Sequence, residues 1–424
     1  MPALPLTSPE SAGMSKARLA RIENHLRERY IGAGRFPGTQ LTVYRRGQLV
    51  HSSVQGLADI ERKVAVKDDT IFRIYSMTKP ITSVAFMMLV EEGCVALEEP
   101  VHRYIPEWKN LGVFRAGMWP AFLTRPTSKP MQIVDLMRHT SGLTYGFQQC
   151  SNVDAAYREL KIGELEKAGT LPSMIADLAK MPLEFSPGEA WNYSVSTDVI
   201  GYLIGLISGK PFEQFLQERI FDPLGMKDTG FFVPSDKAHR LAACYSASPQ
   251  GAMTFHAADR KGGLTLQDDP ATSSFLSPPS FISGGGGLCS TSADYLTFCR
   301  ALLNGGELDG FRLIGPKTLA LMTSNHLPGG RTLPECSRSL FSEAAYDGTG
   351  FGLGVSVTID PARTLIPGSR GEYAWGGAAT TSFWIDPLEQ LIAIFMTQVL
   401  PSTATPIRRE LRTMIYSAIT DSHV

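Results

Sequence analysis

In the run RIYSMTKP, Ser76 stands three residues ahead of Lys79. On a helix, residues three apart share a face, so the amine can reach the hydroxyl. A serine hydroxyl is a weak nucleophile until a base takes its proton. A lysine in water, with a pKa near about 10.4, holds its own proton too tightly to be that base. Burial disfavours the charged form and brings the amine into range. Ile74, Met77, Ile81 and Val84 flank the pair and are apolar enough to supply such burial. A helix is predicted over residues 76–93. With Ser76 in its first turn, the backbone N–H of Ser76 would face developing negative charge. Alone the pattern is weak, because Ser-x-x-Lys arises on the order of once by chance in a chain of this composition. In isolation it reads rather as a capping serine followed by a surface lysine.

Two further segments carry candidate chemistry. In SPGEAWNYSVSTDVIG, Pro187-Gly188 makes a turn, a helix follows, and Tyr193 lies between them. Its phenol can pack under the helix, or it can stand beside Ser76 and pass a proton. The second role needs a nearby cation, such as Lys79, to make the phenol acidic enough. In EYAWGGAATTSFWID, Gly376 and Gly377 interrupt a strand pattern directly after Trp375. Glycine weakens a strand, so its presence there marks a bulge or the close approach of another backbone or a ligand.

These residues need a frame. Leu19, Ile22 and Leu26 recur at helical spacing, which predicts an amphipathic helix from Ser15 to about Arg29. Two β-rich runs around Arg45-Arg46-Gly47-Gln48 predict a hairpin. The middle, about 94 to 285, reads as helical and loop-rich. Its clearest helices are PMQIVDLMRHTSGL and STDVIGYLIGLISG, each expected to end at a glycine. Residues 235–283 are rich in Ser, Pro, Gly and Asp and read as long surface loops. A capped helix is expected from Ser292. Strands dominate from Phe351, and a last helix is predicted over about Thr405–Ile419. Strands from both ends could then pair into one antiparallel sheet with the terminal helices on it.

Bulk properties exclude several function classes. At 43% hydrophobic and 19% charged residues, the chain can build a large core. Forty basic residues nearly balance 41 acidic ones and form no basic run, so neither nucleic acid nor an anionic membrane is an expected partner. The first thirty residues lack the apolar stretch of a secretory signal. No window reaches the length of a membrane span. A cytoplasmic protein is expected. Cys94, Cys150, Cys244, Cys289, Cys299 and Cys336 lack zinc-ligand or CxxC spacing and read as buried free thiols.

Five motifs in order resemble the serine β-lactamase and penicillin-binding-protein superfamily. The chain is most similar to class C β-lactamases and to the family VIII carboxylesterases that share their fold. SMTK matches Ser-x-x-Lys, HTSGL a segment common in these proteins, and YSV the Tyr-x-Asn position. SGGGGLCSTSADY resembles a glycine-rich turn before a late helix, and WGGA stands at the Lys-Thr-Gly strand. The resemblance implies an α+β fold: an antiparallel sheet flanked by terminal helices (residues 1–75 and 290–424), with an inserted helical domain (76–289) and the site between them. It implies Ser76 as nucleophile, Lys79 and Tyr193 as the general base and acid pair, and no cofactor. The implied oxyanion hole is the backbone N–H of Ser76 and of Ala378, with Trp375, Gly376 and Gly377 at the substrate. His139 is implied to be scaffolding, and the Gly284–Gly287 run reads as a tight backbone turn.

Two departures from the family pattern point the same way. Trp375 occupies the place of the strand lysine that meets the carboxylate of a β-lactam, so a neutral ester suits the site better. Val195 replaces the asparagine of the tyrosine motif. Both match the esterase branch, whose members prefer short acyl chains and in some cases hydrolyse cephalosporins weakly. The expected partner is thus a small-molecule ester. Other readings stay open at this level. A β-lactamase or D-amino-acid peptidase is disfavoured by the missing lysine. An acyltransferase would use the same three residues. A catalytically silent scaffold is opposed by their presence. No oligomeric state is read from the chain.

Overall fold

The computed structural model describes residues 4–164, 169–247, 263–338 and 347–422. Helix α1, Lys16–Leu26, buries Leu19, Ile22 and Leu26 along one stripe, and the Ser15 hydroxyl caps its start by accepting from the Arg18 N–H. Strands β1 (Gly38–Arg45) and β2 (Gln48–Asp59) form the expected hairpin. Its two-residue turn puts Arg46 and Gly47 at φ 48° and 79°, as a turn matched to strand twist requires. A short β3, Val64–Ala65, follows. Helices α2 (Thr78–Glu91), α3 (Ser196–Ser208) and α4 (Ser292–Leu303) come next. Strands β4 (Thr349–Phe351), β5 (Ser356–Thr358), β6 (Tyr373–Gly376), β7 (Ser382–Asp386) and β8 (Leu391–Met396) precede α5, Ile407–Ser417.

The sheet order is β4-β5-β6-β7-β8-β1-β2-β3, antiparallel throughout. The two ends of the chain meet at its centre, where β1 pairs with β8 from Gln40↔Met396 to Arg45↔Leu391. Alternation then sorts the side chains. Leu41, Val43, Ala393 and Phe395 face α1 and α5, against Ile22, Leu411 and Ile415. Ile392, Ile394 and Met396 face the other way and join the core around α2, α3 and α4. That core runs unbroken from the inner face of the sheet into the helical region. Helix α2 lies within it, buried from Thr78 to Leu89. Each large apolar side chain so buried contributes about 1.5–3 kcal/mol.

Several local expectations are corrected. PMQIVDLMRHTSGL yields a helix over only Ile133–Met137. It ends not at a glycine but at His139, whose φ is 57°. The N–H of Thr140 bonds the Asp135 carbonyl and that of His139 the Leu136 carbonyl, a Schellman cap with histidine in the left-handed position. In contrast, α3 does end on a left-handed glycine, Gly209. The EYAWGGAATTSFWID run is two strands, β6 and β7, separated by a turn at 377–381. All six cysteines are free, but Cys94 and Cys150 are exposed, each in a surface turn at a helix end. Within 235–283, short elements at Ser235–Arg240, Cys244–Ser246, Thr265–Asp268 and Ser274–Leu276 replace part of the expected loop. Residues 248–262 of that stretch lie outside the described residues. Among the described residues no helix is long and apolar enough to cross a membrane.

Candidate active site

Ser76 sits in a one-turn 3-10 segment, Tyr75–Met77, that leads directly into α2. The N–H groups of a first turn have no intrahelical acceptor, so the Ser76 N–H lies where a ligand can use it. The turn is held from outside. The Ile74 N–H bonds the Leu288 carbonyl at 3.0 Å, and Tyr295 donates to the Met77 carbonyl at 3.0 Å. Tyr75 takes φ 42°, a strained conformation for a non-glycine residue immediately before the serine.

The three side chains singled out in the sequence meet here. Tyr193 Oη lies 2.7 Å from Ser76 Oγ, and Lys79 Nζ lies 3.4 Å from it. Lys79 Nζ also stands 4.5 Å from the Tyr193 ring centroid. Lys79 and Tyr193 are each only 1% exposed, whereas Ser76 keeps 9%. A reagent therefore reaches the serine and not the groups behind it. Tyr193 is fixed through its backbone and its neighbour. Gln148 Nε2 donates to the Tyr193 carbonyl at 2.9 Å, and Asn192 Nδ2 to the Leu143 carbonyl at 3.0 Å.

Three groups that the sequence reading did not assign complete the surroundings of Lys79. Its Nζ donates to the Gly285 carbonyl at 2.6 Å and to Tyr145 Oη at 3.1 Å. Beside Tyr145 lies Asp198, which accepts from Ser283 Oγ at 2.6 Å and from the Gly285 N–H at 3.0 Å. Burial, then the neighbouring Asp198, push the Tyr145 phenol well above its ordinary range. It therefore keeps its proton and accepts from Lys79. Burial also raises the Asp198 carboxyl, against the pull of Lys79. With Gly285 and Tyr145 occupying two directions around Nζ, the third points at Ser76. The Gly284–Gly287 run is the expected tight turn, closed by Gly287 N–H to the Ser283 carbonyl. It is also what supplies the acceptor for Lys79. A Cβ at Gly285 would stand 2.7 Å from Asp198 Oδ2 and 2.8 Å from Tyr145 Oη, so this contact needs a glycine.

His139 does not bond Ser76. Its Nδ1 pairs with Ser194 Oγ at 3.2 Å, and its ring packs 5.0 Å from that of Tyr193 and 5.5 Å from that of Phe351. Burial, and secondarily Lys79, hold its pKa well below the usual histidine value. It is a neutral wall behind the tyrosine. Val195 is fully buried and apolar.

The opposite side of the site is the tip of the β6–β7 hairpin. The Gly377 N–H bonds the Thr381 carbonyl at 2.9 Å and the Thr380 N–H bonds the Gly377 carbonyl at 3.1 Å, with Thr380 at φ 70°. This is a three-residue loop closed by a left-handed residue. The Ala378 N–H finds no acceptor among the described residues. A Cβ at Gly377 would overlap the Ile74 carbonyl oxygen and Thr381 Oγ1. The glycine thus marks the close approach of this tip to the turn that carries Ser76. Trp375, on the same side of the strand as Gly377, places its ring 5.6 Å from that of Tyr193 and 5.2 Å from that of Phe351. Its indole N–H is buried with no acceptor among the described residues. Gly376 faces the other way, toward Arg408 of α5.

Comparison with known proteins agrees with this architecture. The family model described as "Beta-lactamase" matches residues 19–415. Protein Rv1367c of Mycobacterium tuberculosis (strain ATCC 25618 / H37Rv) is 37% identical over 372 residues, covering 87% of each chain. Esterase EstB of Burkholderia gladioli is 29% identical over 417 residues, covering 96% of each. Among solved structures, EstCE1, a hydrolase with promiscuous acyltransferase activity, superposes with a TM-score of 0.77 at 24% identity over 96% of this chain and 99% of that one.

Proposed function

The chain belongs to the beta-lactamase family, and from that membership we propose that it is a serine carboxylesterase acting on short-chain acyl esters through an acyl-enzyme on Ser76. The observation that carries the reading is the convergence of Tyr193 Oη and Lys79 Nζ on Ser76 Oγ, at 2.7 and 3.4 Å. The esterase relative in Burkholderia gladioli supports the choice of reaction. Trp375 supports the choice of substrate. It brings an apolar face where a cation would be needed for a carboxylate, and its unpartnered N–H offers a neutral donor to an ester oxygen.

In this mechanism Ser76 Oγ attacks the acyl carbon while its proton passes to the Lys79–Tyr193 pair. The carbonyl oxygen gains the negative charge and is held by the N–H groups of Ser76 and Ala378. Collapse of the tetrahedral intermediate breaks the bond to the alcohol, which leaves with the proton. Water then attacks the acyl-enzyme and gives up a proton to the same pair, which returns it to Ser76 Oγ as the acyl–oxygen bond breaks and the acid leaves. Tyr145 and Gly285 orient Lys79 toward the serine.

The test compares wild type with Ser76→Ala on p-nitrophenyl esters of increasing chain length and on a chromogenic cephalosporin. Ester turnover should fall by about 10⁴-fold or more in Ser76→Ala. In wild type, short esters should be cleaved fastest and the cephalosporin slowly or not at all. Unchanged ester hydrolysis in Ser76→Ala would remove the assignment. Fast cephalosporin turnover would replace the esterase by a lactamase. An acyl-enzyme that yields product only with an added alcohol would make the protein a transferase.

A further inference from the structure

The oxyanion-hole reading leaves one question open: what aims the Ala378 N–H. A peptide unit is planar and trans, so its N–H points opposite to its carbonyl. The carbonyl partner of the Ala378 N–H is that of Gly377. This oxygen accepts from Arg408 Nη2 at 2.7 Å in addition to the Thr380 N–H at 3.1 Å, and the same Arg408 nitrogen donates to the Thr381 carbonyl at 2.8 Å. The guanidinium therefore bridges both arms of the hairpin tip from the side opposite Ser76.

Two observations say that this contact is built. The first is Gly376. Its φ is not in the left-handed region, so backbone freedom does not require glycine there. A Cβ at 376, however, would lie 2.6 Å from Arg408 Cζ and 2.6 Å from its Nη2. Gly376 is the space the guanidinium occupies. The second is position. Arg408 stands in the first turn of α5, where the helix dipole disfavours a cation. There its Nη2 donates to two hairpin carbonyls.

We infer that Arg408 is a positioning residue for catalysis: by holding the Gly377 carbonyl it orients and polarises the Gly377–Ala378 peptide so that the Ala378 N–H meets the oxyanion. A hydrogen bond from a cation draws electron density toward the carbonyl oxygen and makes the N–H of that peptide a better donor. The inference rests on the proposed esterase reading and extends it to a residue on the far side of the sheet. It gives Gly376 a role behind the hole, at Arg408.

The experiment measures wild type, Arg408→Ala, Arg408→Lys, Gly376→Ala and Ser76→Ala on a p-nitrophenyl ester and on its thiono analogue, in which C=S replaces C=O. Sulfur accepts hydrogen bonds poorly, so the preference for oxygen over sulfur reports the quality of the hole. Arg408→Ala should lower kcat on the oxygen ester by about 10- to 100-fold, with KM within about twofold and a smaller oxygen preference. Added guanidinium ion should restore part of the rate. Gly376→Ala, which displaces the side chain, should give the same signature. Arg408→Lys keeps the charge without the fork and should fall between. If Arg408→Ala does not fold, as judged by its thermal transition, the other two variants decide. Equal losses on both esters, or activity within about twofold of wild type, would overturn the inference. Wild-type hydrolysis in Ser76→Ala would instead overturn the reading beneath it, whatever Arg408 does.

Discussion

The two sides of the site are built from different materials. On the helical side, Ser76, Lys79, Tyr193, Tyr145 and Asp198 act through their side chains, each nine-tenths or more buried. Hydrogen bonds of 2.7 to 3.4 Å join the first four, and Asp198 holds the N–H of Gly285, whose carbonyl accepts from Lys79. On the strand side, Gly376, Gly377 and Ala378 act through the backbone, and what matters about two of them is the lack of a side chain. In the proposed mechanism the first side handles protons and depends on chemical groups, and the second handles charge on oxygen and depends on where a peptide points. Damage to the two should therefore look different. Loss of a hydroxyl on the first side should change proton transfer without moving the fold. A single added methyl on the second should move a peptide without touching any titrating group.

The largest contrast comes from Tyr193→Phe. It removes one hydroxyl and little volume, and should cost about 10²- to 10⁴-fold in kcat while the thermal midpoint stays near wild type. Steady-state kinetics with a p-nitrophenyl ester and a melting curve check both halves. A variant that loses stability and keeps its rate would place Tyr193 with the scaffold.

Gly377→Ala probes the strand side. The new Cβ collides with the Ile74 carbonyl and Thr381, so the tip must retreat from the serine turn. The expected loss is about 10²- to 10³-fold in kcat, the scale of a lost oxyanion donor. The pH profile of the residual activity should keep the wild-type shape, because the proton-handling groups are untouched. A shifted profile would mean that the two sides are not separable.

The smallest effect lies behind the proton-handling side, at His139. Burial and Lys79 keep its folded pKa well below 6.5. Below pH 6.5 the unfolded chain therefore binds a proton that the folded chain refuses. Stability is full above that value and declines as pH falls, by about 1.4 kcal/mol per pH unit from this group. Urea unfolding of wild type and His139→Gln between pH 7 and 5 reads the difference in slope. The wild type should lose more stability on acidification. Parallel slopes would mean that His139 is protonated in the folded protein.

Legibility in the sequence followed the same division. Ser76, Lys79 and Tyr193 could be picked out because their chemistry resides in residue type at a recognisable spacing. The hairpin at Arg46-Gly47 and the stripe of α1 were readable because turn and helix periodicities are local. Tyr145 was not singled out. It lies 66 residues from Lys79, in a loop with no periodicity, and only the fold brings its hydroxyl to 3.1 Å. Asp198, in the first turn of α3, was not singled out either. Nothing local says that it is buried beside Tyr145. The glycine-rich turn was read as a turn, but the use of its carbonyl by Lys79 is a tertiary fact. The His139 cap was missed because a left-handed C′ position usually carries glycine, and the sequence offers Gly142 nearby.

By itself the sequence determined the set of reactive groups, the order of the segments that bear them and the apolar stripes that bury them. Those are properties of residue types and short-range periods. Only the tertiary structure decided which groups meet. It closes the sheet by pairing β1 with β8 and sets Gly377 against Ile74. It also brings Arg408 of the last helix through the space left by Gly376. The reason is physical. A side chain carries its chemistry wherever it goes, but a peptide N–H becomes a catalytic group only when the rest of the molecule fixes its direction.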